Sequence, residues 1–281
     1  MPTLRHLALA VAAAVAGAAT AVAALVPAAG AQETMPPVSM CQAIAKSLPG
    51  ARYVPVALAL PAATSEHAVA IRYVGHSTFR ITSPEGVTAA TDYAGFAGEG
   101  PAPDVATMNH AHSSHYTDFP DPAIGRVLRG WSPDGGKAEH QEMIGDMLIR
   151  NVATDIRRYG LSEPYGNSIF IFETAGLCIG HLGHLHHVPS DGHYAQIGRL
   201  DVVFVPVDGG YTMAQPAMVE VVKRLRASII VPMHFFTVYN LQRFVDAMRT
   251  EFEIDIRSDP LLVVSIDTLP RTPTVVVLPG Y

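Results

Sequence analysis

The chain has 281 residues, 49% of them hydrophobic and 16% charged, which is enough apolar material for a substantial core and excludes collagen-like, disordered and coiled-coil chains. The net charge of −6 comes with no long run of Lys or Arg, so recognition of a nucleic acid through its phosphates is set aside. Histidine is the outlier: 13 residues against 19 Lys plus Arg, most of them in tight clusters, a pattern that points to metal.

Met1 to His6 carries one positive charge, Arg5, and is followed by an apolar Ala/Val/Leu run from Leu7 to Val26 and by Ala29-Gly30-Ala31. This order predicts a secretory signal peptide, residues 1–31, cleaved before Gln32. The run is long enough to serve as an uncleaved anchor, but Pro27, Gly30 and the small-residue ending favour cleavage. No later segment is long and apolar enough to span a bilayer. The mature chain is therefore expected to be exported, periplasmic or secreted, with no stable membrane anchor. Export places Cys41 and Cys178 in an oxidising compartment. Nothing in the sequence shows that their Cα atoms come within bridging distance; pairing stays open, and the plain reading of Cys178 is a buried small apolar residue.

Residues 32–67 form a Pro- and Ala-rich extension, and strand-like runs then follow at Val69–Val74, Ser77–Thr82, Val87–Thr91 and Val105–Met108. Residues 116–145 are loop-rich, with Pro120, Pro122, Pro133, Gly135 and Gly136 around the apolar stretch Ile124–Trp131. Further strands are expected at Met147–Val152, Ser168–Glu173, Leu177–Gly180, Val202–Val207, Ile229–Val231, Leu262–Ile266 and Val275–Leu278. Two helices interrupt them. One opens at Pro216 and carries Ala217, Met218, Val221, Val222 and Leu225 on one face; the other carries Leu241, Phe244, Val245 and Met248. Sheet-rich halves with helices on the outer faces indicate an α/β sandwich, one domain over residues 68–281.

Chemistry-bearing residues concentrate at strand ends. Asn109-His110-Ala111-His112-Ser113-Ser114-His115-Tyr116 follows Val105–Met108, and its histidines at offsets 0, 2 and 5 can converge on an ion. The plain alternative is a polar loop that happens to contain histidine. His181-Leu182-Gly183-His184-Leu185-His186-His187 follows a second apolar strand; alone it reads equally as a loop that binds metal nonspecifically. His234, after Ile229–Val231, and Asp155, after Leu148–Val152, are weak signals singly.

Together these segments resemble the metallo-β-lactamase-fold hydrolases, and more narrowly the ascorbate-6-phosphate lactonase-like branch, over nearly all of residues 69–236. Tyr73-Val-Gly-His76-Ser-Thr-Phe79 is similar to that branch's opening strand, Thr91-Asp92-Tyr93 to its strand ending in Asp, and His110-Ala-His112-Ser-Ser114-His115 to its HxHxDH loop. Ile179-Gly-His181-Leu-Gly183-His184 resembles its GD turn, Val205-Pro-Val-Asp208-Gly-Gly-Tyr211 its Gly-rich strand end, and Val231-Pro-Met-His234 its last ligand. The resemblance implies a four-layer αββα sandwich with metal ligands at His110, His112, His115, Asp155, His184 and His234. It also implies that Asp92 orients a ligand imidazole from behind.

The pattern is broken in three places. Ser114 stands where the family has an acid, His184 where a carboxylate bridges two ions, and Asp155 where a third histidine is expected. One negative charge fewer disfavours a second divalent ion, and an imidazole cannot bridge as a carboxylate does. Two three-ligand sets are then open: His115, His184 and His234, or His110, His112 and Asp155, the latter a two-His-one-carboxylate set that also suits Fe(II). The implied activity is metal-dependent hydrolysis, with a metal-bound hydroxide attacking an ester, lactone or phosphoester. Zinc is the expected cofactor, as one or two ions, with Fe or Mn as alternatives. His115 and His184 are placed at the reacting centre, and Tyr211, Tyr116 or His76 are candidate donors to the oxygen that gains charge. The competing expectation is a catalytically silent protein of the same fold that binds metal or a small ligand; an iron redox protein stands behind both. The expected partner is a small-molecule substrate whose class the loops do not name.

Overall fold

The computed structural model describes residues 37–42, 67–110, 112–158 and 161–280. The signal-peptide reading of residues 1–31 lies outside them. Pro36 to Tyr281 form one unit.

Two sheets carry the fold. The first runs β13-β1-β2-β3-β4-β5, built from β1 (Val69–Gly75), β2 (Thr78–Thr82), β3 (Thr88–Ala90), β4 (Val105–Met108), β5 (Arg126–Arg129) and β13 (Leu261–Val264). The second runs β12-β14-β11-β10-β9-β8-β7-β6. It comprises β6 (Gln141–Ile144), β7 (Met147–Arg158), β8 (Leu161–Thr174), β9 (Leu177–His181), β10 (Val202–Pro206), β11 (Ile229–Met233), β12 (Glu253–Ile256) and β14 (Thr274–Val277).

The central strands β9, β10 and β11 are buried on both faces, which is why they read as unbroken apolar runs. Period-two alternation sends Phe170, Phe172, Leu177, Ile179, Val202, Phe204, Ile229 and Val231 into the space between the sheets, against Ile71, Phe79 and Ile81 of the first sheet. The intervening residues Ile169, Ile171, Cys178, Val203, Val205 and Ile230 face outward, where α1 (Asp191–Ile197), α2 (Gln215–Leu225) and α3 (Val238–Met248) cover them with Ile197, Met218, Val222, Phe244 and Met248. Among the described residues all three helices lie on this second sheet. The outer face of the first is covered by loop residues Tyr93, Ala97 and Ile124.

Four short elements escaped the sequence reading: β5 lies in the region read as loop-rich, and β6, β12 and α1 are mostly polar and partly exposed, so no apolar period marks them. The β7–β8 pair also runs past Val152 and begins before Ser168, because Asp155, Arg157 and Glu163 continue as an exposed two-stranded ribbon.

The cysteines are bonded, with Cα atoms 6.0 Å apart, so Cys178 is half of a cystine and not a free apolar residue. The bridge belongs to a clamp on residues 37–42. Glu173 accepts from Ser39 Oγ at 2.7 Å, Met40 N at 2.9 Å, Cys41 N at 3.2 Å and the buried Arg150 Nε at 2.6 Å. Arg150 in turn donates to the carbonyls of Gln196 and Ile197 at the end of α1. The pairing was not legible because the two positions approach only once β8, β9 and α1 are stacked.

Strand direction positions the site. β3, β4 and β5 run parallel in the first sheet, and β9, β10, β11 and β14 run parallel in the second. The loops after β3, β4, β9, β10 and β11 therefore emerge at one end of the sandwich.

Candidate metal centre

At that end four imidazoles meet: His112 and His115 from the loop after β4, His184 from the loop after β9, and His234 directly after β11. Their potential ligand atoms all lie within 4.8 Å of one another. His112 Nε2 is 3.2 Å from His184 Nε2, and His115 Nε2 is 3.1 Å from His234 Nε2. His115, His184 and His234 are buried; His112 is half-buried and is the side of the centre open to solvent.

The outer nitrogens explain why the inner ones converge. His115 Nδ1 lies 2.6 Å from Asp92 Oδ2, whose other oxygen accepts from the buried Asn109 amide at 2.7 Å. Burial works to raise the Asp92 pKa, but His181, His115 and these hydrogen bonds outweigh it and hold it at about 2. His234 Nδ1 lies 3.0 Å from Asp208 Oδ1. Asp208 also accepts from Thr212 Oγ1 and from the Gly210 and Tyr211 amides, which keep it well below the ordinary carboxylate range although burial opposes them. Both carboxylates are therefore acceptors only, and each fixes the Nδ1–H tautomer of its histidine. Ser114 Oγ sits 2.8 Å from His112 Nδ1 and 2.9 Å from His76 Nε2, which lets it accept from the first and donate to the second. Ser114 thus orients His112.

Burial, followed by the neighbouring imidazoles, pushes His112 down to about 4 and His184 down to about 2, so both are neutral near pH 7. With their Nδ1 atoms turned to Asp92 and Asp208, His115 and His234 face each other through Nε2 at 3.1 Å, an approach that a cation held between the two nitrogens would favour. The donor set, four nitrogens and no carboxylate, suits zinc and other borderline divalent ions. Asp92 and Asp208, one step behind the ligands, balance the charge of one such ion.

Backbone strain gathers at the same place. His76, Asp92 and His234 all have left-handed φ values, 50°, 41° and 53°, a conformation that non-glycine residues adopt at a cost of about 1 kcal/mol or more each. The His234 amide bonds the His76 carbonyl at 2.7 Å across the two sheets. Gly183, with φ +59°, has no alternative: a Cβ there would run into the Asn109 and Asn167 amides. Asn167 Oδ1 receives the His184 amide at 2.7 Å and so fixes the start of that ligand.

Two expected ligands do not join. His110 turns away: its Nδ1 is 2.8 Å from Glu163 Oε1 and its ring stacks on Trp131 at 4.9 Å. The shared-face rule for i and i+2 holds inside a strand, but β4 ends at Met108 and the chain is already in a turn, closed by the His115 amide on the His112 carbonyl at 2.9 Å. Asp155 is not at a strand end but inside β7, at a register shift between Thr154 and Ile156. Thr154 is the residue that turns to Asn167, whereas Asp155 accepts from the Tyr165 amide at 3.1 Å and lies among His186 and His187. The set His110, His112 and Asp155 is therefore not assembled, and the set His115, His184 and His234 is, with His112 added. Of the candidate donors, Tyr211 stands at the mouth with its ring 6.3 Å from His112, Tyr116 packs on Trp131 instead, and His76 is engaged by Ser114. Asp208 escaped the sequence reading as an orienting residue. Its signal was an acid at the end of an apolar strand, before Gly209-Gly210.

The two-sheet sandwich with helices and a histidine centre at the strand ends is that of metal-dependent hydrolases of the metallo-β-lactamase fold. The Beta-lactamase superfamily domain matches residues 70–234, and the chain belongs to that family. It is similar to a UPF0173 metal-dependent hydrolase of Methanoregula boonei, 21% identical over 65% of this chain and 89% of the relative. A second UPF0173 metal-dependent hydrolase, from Thermoplasma volcanium, is 25% identical over 60% of this chain and 84% of the relative. Among solved structures, a Thermotoga maritima protein proposed as a Zn-dependent hydrolase of the metallo-β-lactamase superfamily matches with a TM-score of 0.57 and 25% identity. That match covers 76% of this chain and all of the other. A Parabacteroides distasonis protein proposed as a metal-dependent hydrolase matches in fold, with a TM-score of 0.52 and 15% identity over 64% and 88% of the two chains.

Proposed function

We propose that this metal-dependent hydrolase is exported, holds one divalent ion, zinc before manganese or iron, in the four-histidine centre, and cleaves an ester, lactone or phosphoester. The observation that carries the single ion is the facing pair of Nε2 atoms, held 3.1 Å apart by Asp92 and Asp208. A divalent ion held by these histidines would lower the pKa of a bound water to roughly 7 and so supply hydroxide at neutral pH.

The protein's own part is orientation. Asp92, Asp208 and Ser114 hold three imidazoles in their ligating tautomers, and Tyr211 stands at the mouth with its ring 6.3 Å from that of His112. His112, the half-buried member, is the ligand placed to yield a position to substrate. The lactone option rests on the motif resemblance to the lactonase-like branch. The Cys41–Cys178 bridge supports export, since such bonds persist in oxidising compartments.

Elemental analysis after mild chelation is expected to find about one ion per chain. In the double variant Ser114→Asp, His184→Asp, two restored carboxylates should raise occupancy toward two. Two ions in the unaltered protein would overturn the single-ion reading, and none under zinc, manganese or iron loading would overturn the metal reading altogether. A second reading, a silent metal-binding protein, is favoured by one observation: four imidazoles fill the shell of a tetrahedral ion, as in structural sites. A panel of ester, lactone, phosphodiester and β-lactam substrates separates the two; an ion in place with no turnover on any of them leaves the silent reading.

A further inference from the structure

Two exposed aromatic side chains stand against the histidine centre. Phe236, two residues past His234, is 55% exposed, with its ring 5.3 Å from that of His234 and 5.6 Å from that of His76. Tyr211, three residues past Asp208, is 65% exposed, 6.3 Å from the His112 ring and 5.5 Å from Phe236. They come from different loops, each anchored at its root: the Tyr211 amide donates to Asp208 at 2.6 Å, and Asn240 Nδ2 of α3 donates to the Asp208 carbonyl at 3.0 Å. The pair is thus a placed wall, edge to face, beside the half-buried ligand.

The charge around it is as informative as the rings. Among the described residues, no Lys or Arg makes a hydrogen bond or ring contact with the side chains of His76, His112, His115, His184, His234, Tyr211 or Phe236. Arg157 donates to the carbonyl of Gly210, the residue before Tyr211, at 3.2 Å. Apart from Arg157 at the Gly210 carbonyl, none of the contacts of these side chains offers a cation to a dianionic phosphate monoester, whereas an apolar group would remove two large exposed rings from water.

Resting on the hydrolase reading above, we infer that Tyr211 and Phe236 form a clamp for an apolar acyl or aryl group and that the substrate is a carboxylic ester or lactone carrying such a group beside its carbonyl. The clamp determines specificity: it grips the part of the substrate that does not react and turns its carbonyl toward His112 and His184.

The test uses the zinc-loaded mature protein and two hydroxamates with the same chelating head, benzohydroxamate and acetohydroxamate, titrated by calorimetry. The phenyl compound should bind roughly tenfold more tightly. That preference should collapse toward parity in Phe236→Ala and in Tyr211→Ala, with zinc content unchanged by elemental analysis. Equal binding of the two compounds, no binding of either, or a preference that survives both substitutions would overturn the clamp. A dimer at micromolar concentration that is lost in Phe236→Ala would assign the rings to a second copy of the chain and overturn it as well. Hydrolysis of p-nitrophenyl butyrate and p-nitrophenyl phosphate, measured in parallel, keeps the two readings apart. The phenyl preference without turnover of either ester upholds the clamp while the hydrolase reading fails. Phosphate turnover exceeding butyrate turnover overturns the clamp while the hydrolase reading stands.

Discussion

Residues 110–115 and 181–187 are both histidine-rich loops after apolar strands, yet they contribute to the centre unequally. The first sends His112 and His115 inward and loses His110 to Glu163; the second sends only His184, three residues after a histidine of quite different purpose. His181 Nε2 donates to the Ser77 carbonyl at 2.8 Å and its Nδ1 accepts from the Gly183 amide at 3.1 Å, so one nitrogen joins the two sheets and the other holds the turn that leads to His184. His186 and His187 lie beside Asp155. A histidine becomes a ligand when its remaining nitrogen faces other bare nitrogens, and partners three-dimensionally near it decide that.

The contrast is broken most directly by removing one histidine of each kind. His234→Ala should lower zinc affinity by more than about 100-fold, exceeding the effect expected for an outer partner. His110→Ala should change it by less than about threefold, as a group outside the ligand shell. Competition with a chelator of known affinity measures both, and a large loss in His110→Ala would restore His110 as a ligand. Next come the carboxylates behind the ligands: Asp208→Asn and Asp92→Asn should each cost roughly 10- to 100-fold in zinc affinity with the circular dichroism unchanged. An Asp208→Asn protein that binds zinc normally would remove Asp208 from the site.

His181→Leu sharpens the comparison from the other side. It should lower the unfolding free energy by about 1–3 kcal/mol, because the Ser77 carbonyl and Gly183 amide lose a buried partner, and should leave the zinc content at its original value. Urea unfolding and elemental analysis read the two quantities separately.

The metal-free protein should also respond to pH. His112 and His184, held at about 4 and about 2 first by burial and then by neighbouring imidazoles, return to about 6.5 in the unfolded chain. The unfolded state then binds more protons, so stability is full above about 6.5 and declines as the pH falls from there toward 4. Asp92, held at about 2 against an ordinary 3.8, adds its loss only below that carboxylate range. A urea midpoint that stays level between pH 7.5 and 5 would show that these imidazoles are not held neutral in the native state.

Much of the layer structure was legible in the chain. The unbroken apolar runs of β9, β10 and β11 announce strands buried on both faces, and the apolar stripes of α2 and α3 announce helices with one covered side. His115, His184 and His234 as one of two open ligand sets, and Asp92 behind a ligand, came from the resemblance of the ordered motifs to a known family. These features depend on local period and on which residues sit where parallel strands end.

Tertiary structure decided the rest. Asp155 fell on the wrong side of β7 because side chains alternate and the ribbon carries an irregularity that no local pattern announces. His110 left the centre because the strand ended at Met108, two residues before it. Asp208 became the partner of His234, Ser114 the partner of His112, and Cys41 the partner of Cys178 through approaches between residues far apart in the chain or turned toward each other by a loop. Sequence period specifies which face a residue occupies within one element. Which nitrogen a histidine offers depends on the hydrogen-bond partner at its back, and that partner arrives only when the two sheets close on each other.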